Sequence, residues 1–412
     1  MAAEFCGSDL TSSPQCSIAA GSSNKLTIGY WEGWNSQRPC GHMTAAEIPE
    51  GYYTHLFFSF SLVNPDSFRL EPMDSITGKL YGELSALKAR QPELQVWLAV
   101  GGWAMNDEGP WRTTFSDLAA SERAQDEFFE SLVSFMTKWN YDGVDIDWEY
   151  PVAPDRGGKP QDFKNFVNFM RRLRLRLNQM GTPKGLSLTL PASYWYLKGF
   201  DIVGLEPHID FFNVMTYDIH GVWDSTIKVL GPYAHAHTNL TEIDEALKLL
   251  WRNNINPNRV NLGIGFYGRS FTMKDPNCMA AGCEFTAGAD GGACTGTPGV
   301  LSAKEIMDVI KNKGAKMTLD PVAGVQIVTW GGNQWVSWDD TVTLKMKADF
   351  ANSHCMGGIL IWAVDLDDGT LIQSLADASR ETTIILEEPP EIAPCFGTPW
   401  DGLENNNGTA PK

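Results

Sequence analysis

Asp142-Gly143-Val144-Asp145-Ile146-Asp147-Trp148-Glu149-Tyr150-Pro151 places four carboxylates within eight residues, yet it has the pattern of a buried strand. Val144, Ile146 and Trp148 alternate with Asp145, Asp147 and Glu149. Successive side chains of a strand point to opposite faces, with about 6.6 Å between neighbours on one face. One face is therefore apolar and suited to packing beneath helices, while the other carries three acids in a row. Carboxylates that close repel, so at least one must hold a proton or meet a partner. A row of this kind works against stability and points to chemistry.

Outward from this stretch, apolar runs of strand type recur at 26–31, 54–60, 96–102, 143–149, 186–192, 211–217, 260–266 and 358–363. Amphipathic helical patterns at 116–139, 161–179, 241–253 and 343–352 fall between them. Strands separated by helices imply a parallel sheet, and eight is the number that closes a (β/α)8 TIM barrel of the α/β class. The interval from Phe266 to Gly358 is the longest, with a helical stretch at 303–312 and strand-like runs at 325–330 and 334–338. It reads as an α+β insertion domain between strands seven and eight. The expected organisation is a Cys-containing N-terminal remnant and linker (1–24), the first part of the barrel (25–266), the insertion (267–338), the last strand and helix (339–382) and a tail (383–412).

The net charge of −18 and pI near 4.8 argue against nucleic acid as a partner, and against an anionic membrane surface. No run is long and apolar enough for a membrane span. The eight cysteines, three of them (Cys278, Cys283, Cys294) in one Gly/Ala-rich loop, suggest disulfides and local stapling there in an oxidising compartment. A zinc site is the rival reading, but the cluster holds no His. Asn239-Leu240-Thr241 and Asn407-Gly408-Thr409 are glycosylation sequons. No leader is visible before Met1-Ala2-Ala3-Glu4, and the chain is expected to be a mature form with a foreign start.

Active sites of such barrels lie at the C-terminal ends of the strands. There the fourth strand delivers Asp147 and Glu149, followed by Tyr150. Other strand ends deliver Tyr30, Phe60, Trp103 after Gly101-Gly102, Met215 and Tyr217-Asp218, Tyr267 with Arg269, and Trp362. The 15 Trp and 11 Tyr offer flat faces that suit sugar rings, although most are expected in the core. Cleaving a glycosidic bond needs a general acid and a group that stabilises an oxocarbenium-like centre. Glu149, last in the row, is the natural acid; an ionised Asp147 beside it would raise its pKa, and Asp145 can share a proton with Asp147. Other readings of the same residues are a cation held by Asp145 and Asp147, core packing for Met215 and Trp362, and a satisfied core hydroxyl for Tyr217.

At this point the chain resembles the chitinases of glycoside hydrolase family 18. The pattern Asp142-x-x-Asp145-x-Asp147-x-Glu149 matches the family signature. Gly101-Gly102-Trp103, Met215-x-Tyr217-Asp218, Tyr267-Gly268-Arg269 and Gly357-Gly358 with Trp362 follow in family order. The resemblance covers about residues 25–380. Tyr30-Trp31-Glu32-Gly33-Trp34 with Arg38-Pro39-Cys40 is similar to the fungal killer-toxin-like branch (class V, subgroup C), whose members carry chitin-binding modules ahead of the barrel; the Cys6/Cys16 segment fits the end of one.

The resemblance implies a secreted, monomeric hydrolase without cofactor or metal, acting on chitin and chitooligosaccharides with retention. Glu149 would protonate the scissile oxygen while the substrate's own acetamido carbonyl attacks the anomeric carbon, giving an oxazolinium ion. Asp147 would hold the acetamido N–H, and Asp145 would take up the proton balance. Tyr217 would bond the acetamido oxygen and Asp218 help place that group. Trp362 would floor the −1 sugar, with Trp103 and Arg269 on the plus side. A chitinase-like lectin and an endo-β-N-acetylglucosaminidase are the alternatives. One departure concerns Ala99, where the family usually has a Ser bonded to the deep Asp. An unsatisfied Asp145 would cost about 1–3 kcal/mol, and Ala99→Ser is expected to shift the pH profile.

Overall fold

The computed structural model describes residues 13–18 and 21–380. Cys6, Cys395, the Asn407 sequon and the tail lie outside them. Eight parallel strands form the barrel: Leu26–Glu32, His55–Val63, Gln95–Gly101, Gly143–Asp147, Gly185–Pro191, Phe211–Met215, Val260–Gly265 and Gly358–Trp362. Each pairs with its sequence neighbour, and the first also pairs with the eighth, which closes the sheet.

The two faces of the fourth strand separate as its alternation dictates. Val144 and Ile146 are fully buried, and Trp148 stacks on Phe115 and meets Phe166 edge-on, rings that belong to the surrounding helices. The ladder ends at Asp147, two residues before the expected Glu149, because its partner strand stops at Gly101. There φ is +115°, and a Cβ would lie 2.1 Å from the Asp147 carbonyl oxygen, so only glycine lets the chains part. Asp142 anchors the strand's base, accepting from the Val96 amide (2.9 Å) and from Lys88 (2.7 Å). The sixth strand also stops early, at Met215; the chain turns there, with Asp218 in the left-handed region (φ 55°).

The helix expected over 116–139 is two, Thr114–Ala120 and Glu122–Trp139. Ser121 divides them: its hydroxyl caps the second by accepting the Ala124 amide, a use of Ser that competes with continuing a helix. Asn239 of the first sequon likewise caps Leu240–Trp251.

The insertion contains a six-stranded antiparallel sheet built on Tyr267–Met273, with Phe285–Gly288, Val300–Ser302, Lys316–Asp320, Val325–Trp330 and Gln334–Trp338, plus the helix Ala303–Asn312. Phe271, Phe285, Val325, Ile327 and Trp335 give it a core of its own. Three disulfides cross the described residues. Cys278–Cys283 is the expected local staple. Cys294, expected in the same staple, instead reaches Cys40 after the first strand, 254 residues away. Cys16 bonds Cys355 and its amide donates to the Ser353 carbonyl, which fastens the N-terminal segment to the last turn before strand eight. Among the described residues no helix is long and apolar enough to cross a membrane.

Candidate active site

Asp145 lies deepest, fully buried and facing Ala99 on the third strand and Ser187 on the fifth. Its carboxylate accepts from the hydroxyls of Tyr30 (2.8 Å), Ser187 (2.5 Å) and Thr189 (2.9 Å) and from Asn213 Nδ2 (3.2 Å). A carboxylate has about four acceptor positions, and four donors occupy them. The missing Ser at position 99 therefore leaves no unsatisfied Asp145, contrary to expectation: strand five supplies two hydroxyls of its own. Burial still pushes the Asp145 carboxyl up, with the four hydrogen bonds opposing. Tyr30, expected to meet substrate, is buried beneath the site as a partner of Asp145.

Asp147 is buried one step above, and its Oδ1 has no hydrogen-bond partner. Burial, then the charges of Glu149 and Asp145, drive its pKa well above the usual carboxylate range. Glu149 is buried as well, and burial moves its pKa from 4.5 to about 7, against the Tyr150 hydroxyl and the Arg156 guanidinium. The upward shift of Glu149 comes mainly from desolvation, and its repulsion with Asp147 raises the pair further. Tyr217, nearly buried, sits in the field of all four carboxylates, Asp147, Asp218, Glu149 and Asp145.

Asp218 behaves oppositely. Burial alone would raise its pKa, but Arg269 grips it through Nε (2.7 Å) and Nη2 (2.6 Å) and holds it well below the usual range, with His237 adding to the effect. The Tyr267 hydroxyl donates to the same carboxylate at 2.6 Å. Asp218, Tyr267 and Arg269, expected to meet a sugar separately, bind one another.

The remaining residues form a floor and a rim. Trp362 is half-buried on a support of Phe60 (5.6 Å between centroids), Tyr30 (5.7 Å) and Trp34 (6.1 Å). Phe60 lies behind that floor, 7% exposed. A Cβ on Gly102 would strike the Phe60 ring at 2.6 Å, which ties this glycine to the packing behind the floor. Met215 is half-buried. Trp103 stands 50% exposed with Tyr150 beside it at 6.4 Å, and Tyr150 stacks on Tyr196 at 4.3 Å. Among the described residues, no group of three or more His, Cys, Asp and Glu could hold a metal ion.

Sequence reasoning missed Arg156. Its guanidinium lies 3.6 Å from the Trp103 ring, and it donates to the carbonyls of Glu149 (3.0 Å) and Trp103 and to Asp107 (2.7 Å). A loop Arg carries no signal of that kind. Ser187 and Thr189 were missed too, although their spacing of two, which puts both hydroxyls on one face of strand five, is a signal that could have pointed to them. Trp34, quoted only within the branch-like segment, and Trp223, 4.8 Å from the Arg269 guanidinium, carried no site role in the sequence.

Residues 26–367 match the family described as Glycosyl hydrolases family 18. The killer toxin subunits alpha/beta of Kluyveromyces lactis are 32% identical over 326 residues, 78% of this chain and 27% of that protein. The secreted chitinase LysM12 of Penicillium expansum is 29% identical over 83% of this chain and 23% of its own length. The chain thus spans about a quarter of these curated relatives. Among solved structures, the Ostrinia furnacalis group II chitinase catalytic domain 2 superposes with a TM-score of 0.75 at 27% identity, over 86% of this chain and 96% of that one. Human YKL-39, described as a pseudo-chitinase with retained chitooligosaccharide binding, shares the fold at a TM-score of 0.76 and 24% identity, over 86% and 99%.

Proposed function

The chain belongs to family 18 of the glycosyl hydrolases, and on that premise we propose that it is a secreted, monomeric chitinase that cleaves β-1,4 bonds of N-acetylglucosamine polymers with retention. The observation that carries the reading is the pairing of Glu149, with a pKa near 7, with Asp147, whose buried Oδ1 has no partner. A buried acceptor left unpaired is costly and calls for a ligand donor. The acetamido N–H of a bound N-acetylglucosamine is such a donor.

Glu149 transfers its proton to the glycosidic oxygen as the C1–O bond breaks. The acetamido carbonyl oxygen forms the new bond to C1, and the positive charge resides on the oxazolinium ring. Asp147 accepts the N–H, Tyr217 donates to the acetamido oxygen, and Asp145 stands ready to take up charge below. Asp218, kept ionised by Arg269, fixes the Tyr267 hydroxyl beside Tyr217. Water then attacks C1 from the side the aglycone left, giving its proton to Glu149, as the bond from C1 to the acetamido oxygen breaks and the neutral acetamido group is restored. Trp362 floors the −1 sugar and Trp103 stacks on the plus side, with Tyr150 and Met215 as walls. The Ostrinia relative, solved as a mutant with a bound chitooligosaccharide, supports this substrate class.

Mass spectrometry and NMR of products from chitohexaose test the reading. Wild type should release β-anomers of shorter oligomers, and Glu149→Gln should do so at least about a hundredfold more slowly. Binding without cleavage by wild type would instead establish a lectin. Release of N-glycans in preference to chitooligosaccharides would establish an endo-β-N-acetylglucosaminidase.

A further inference from the structure

Ser193-Tyr194-Trp195-Tyr196-Leu197-Lys198 follows the fifth barrel strand and folds as a single helical turn, Tyr194–Leu197, with the Ser193 hydroxyl accepting the Trp195 amide (3.2 Å). Its apolar residues divide sharply. Leu197 and, just beyond, Phe200 are buried and root the turn in the core. Tyr196 stacks on Tyr150, next to Glu149, and its hydroxyl donates to Asp155 (2.8 Å). Tyr194 and Trp195, in contrast, stand 65% and 63% exposed. Neighbouring rings held in water on a rooted turn are not core residues that failed to fit, and exposed aromatic patches mark binding surfaces. The Lys198 ammonium sits 3.9 Å from the Trp195 ring, which covers one face of it and restrains its orientation.

From these facts, and resting on the chitinase reading above, we propose that Tyr194 and Trp195 form a polysaccharide platform outside the cleft. It takes the part of a β-1,4-linked N-acetylglucosamine chain that has passed the acid on the reducing-end side. The platform is continuous with the site: Trp103, Tyr150 and Tyr196 are in successive ring contact, and Tyr194 and Trp195 belong to the same turn as Tyr196. A short oligomer ends before it, whereas a long chain or a chitin surface engages it. The platform thus selects substrate by length without touching the reacting bond.

The test uses the Tyr194→Ala/Trp195→Ala double variant, with Trp195→Phe as the conservative control. The ratio of kcat/KM on chitohexaose to that on a fluorogenic chitobioside should fall about tenfold, equivalent to about 1.4 kcal/mol of lost binding, and Trp195→Phe should restore most of it. Adsorption to insoluble chitin, measured in the Glu149→Gln background, should weaken in parallel and does not depend on turnover. An unchanged ratio with unchanged adsorption overturns the platform, as does an equal loss on both substrates. If wild type cleaves neither substrate, the chitinase reading falls, and the adsorption comparison alone decides the platform.

Discussion

Two groups of carboxylates near the same rim have pKa values driven in opposite directions. Asp145, Asp147 and Glu149 on and after strand four have pKa values raised by burial, and Asp145 is answered only by neutral donors. Asp218 after strand six is only half-buried and faces the bidentate guanidinium of Arg269, which holds its pKa well below the usual carboxylate range. Burial alone does not decide the state of an acid; the charge of its partner does. Neutral donors support a carboxylate while leaving it able to gain a proton, whereas a cation fixes the charge. One rim thereby holds a set that can exchange protons and a member that cannot.

The comparison breaks most completely at Glu149. Removal of a general acid costs about a hundred- to ten-thousandfold in rate, so Glu149→Gln is expected to lose kcat on a fluorogenic chitobioside to that extent. The same variant sharpens the electrostatics. The Glu149 carboxyl has its folded-state pKa raised from 4.5 to about 7, so the native state holds the proton more tightly than the unfolded chain. That contribution is full below pH 4.5 and is lost as the pH rises towards 7. Glu149→Gln, which needs no proton, should therefore match wild type in unfolding free energy at pH 4 and exceed it by up to about 3 kcal/mol at pH 8. Denaturant titrations at both values measure this, and an advantage at pH 4 equal to that at pH 8 would refute the assignment.

How much of this contrast was legible beforehand follows from range. The acid row, the eight strands and the insertion are written in local pattern: alternation, spacing and order along the chain; a role for Trp362 came only with the family resemblance. The support under Asp145 comes from Tyr30, Ser187, Thr189 and Asn213, three other strands whose register only barrel closure sets. Arg269 was readable as a site residue, but its pairing with Asp218 was not, because the two lie 51 residues apart. Cys294 was grouped with its sequence neighbours and joined Cys40 for the same reason.

Arg269→Met attacks the other side of the comparison. It leaves Asp218 without its cation, so the carboxyl should rise and titrate, releasing Tyr267. Asp218 is partly open to the cleft, which screens the loss, so we expect a cost of about 1–2 kcal/mol in stability and about tenfold or more in kcat/KM. A new acid limb in the pH–rate profile would identify the freed Asp218; a uniform loss at every pH would contradict the pairing.

Arg156→Gln should act more mildly, with separable signatures. Arg156 opposes the upward shift of Glu149, so its removal raises that pKa and moves the alkaline limb of kcat/KM to higher pH. It also removes the guanidinium from beneath Trp103, which should raise KM by a few-fold, at about 0.5–2 kcal/mol for a cation–π contact between a buried guanidinium and a half-exposed ring. An alkaline limb that stays in place or moves down would show that Arg156 acts only on Trp103.

Ala99→Ser is expected to do least, and that is what makes it diagnostic. Position 99 faces Asp145 across the ladder, and a Ser there would be a fifth donor to a carboxylate whose four positions are filled. A new hydroxyl in a fully buried position must displace one of the four or go unsatisfied, at about 1–3 kcal/mol. The variant should therefore lose a little stability in a thermal melt while its pH–rate profile moves by less than about half a unit, since exchanging one neutral donor for another leaves the charge around Asp145 unchanged. If the profile moves by a full unit, Asp145 is short of a donor in the native protein, and neutral donors alone do not account for the difference between the strand-four acids and Asp218.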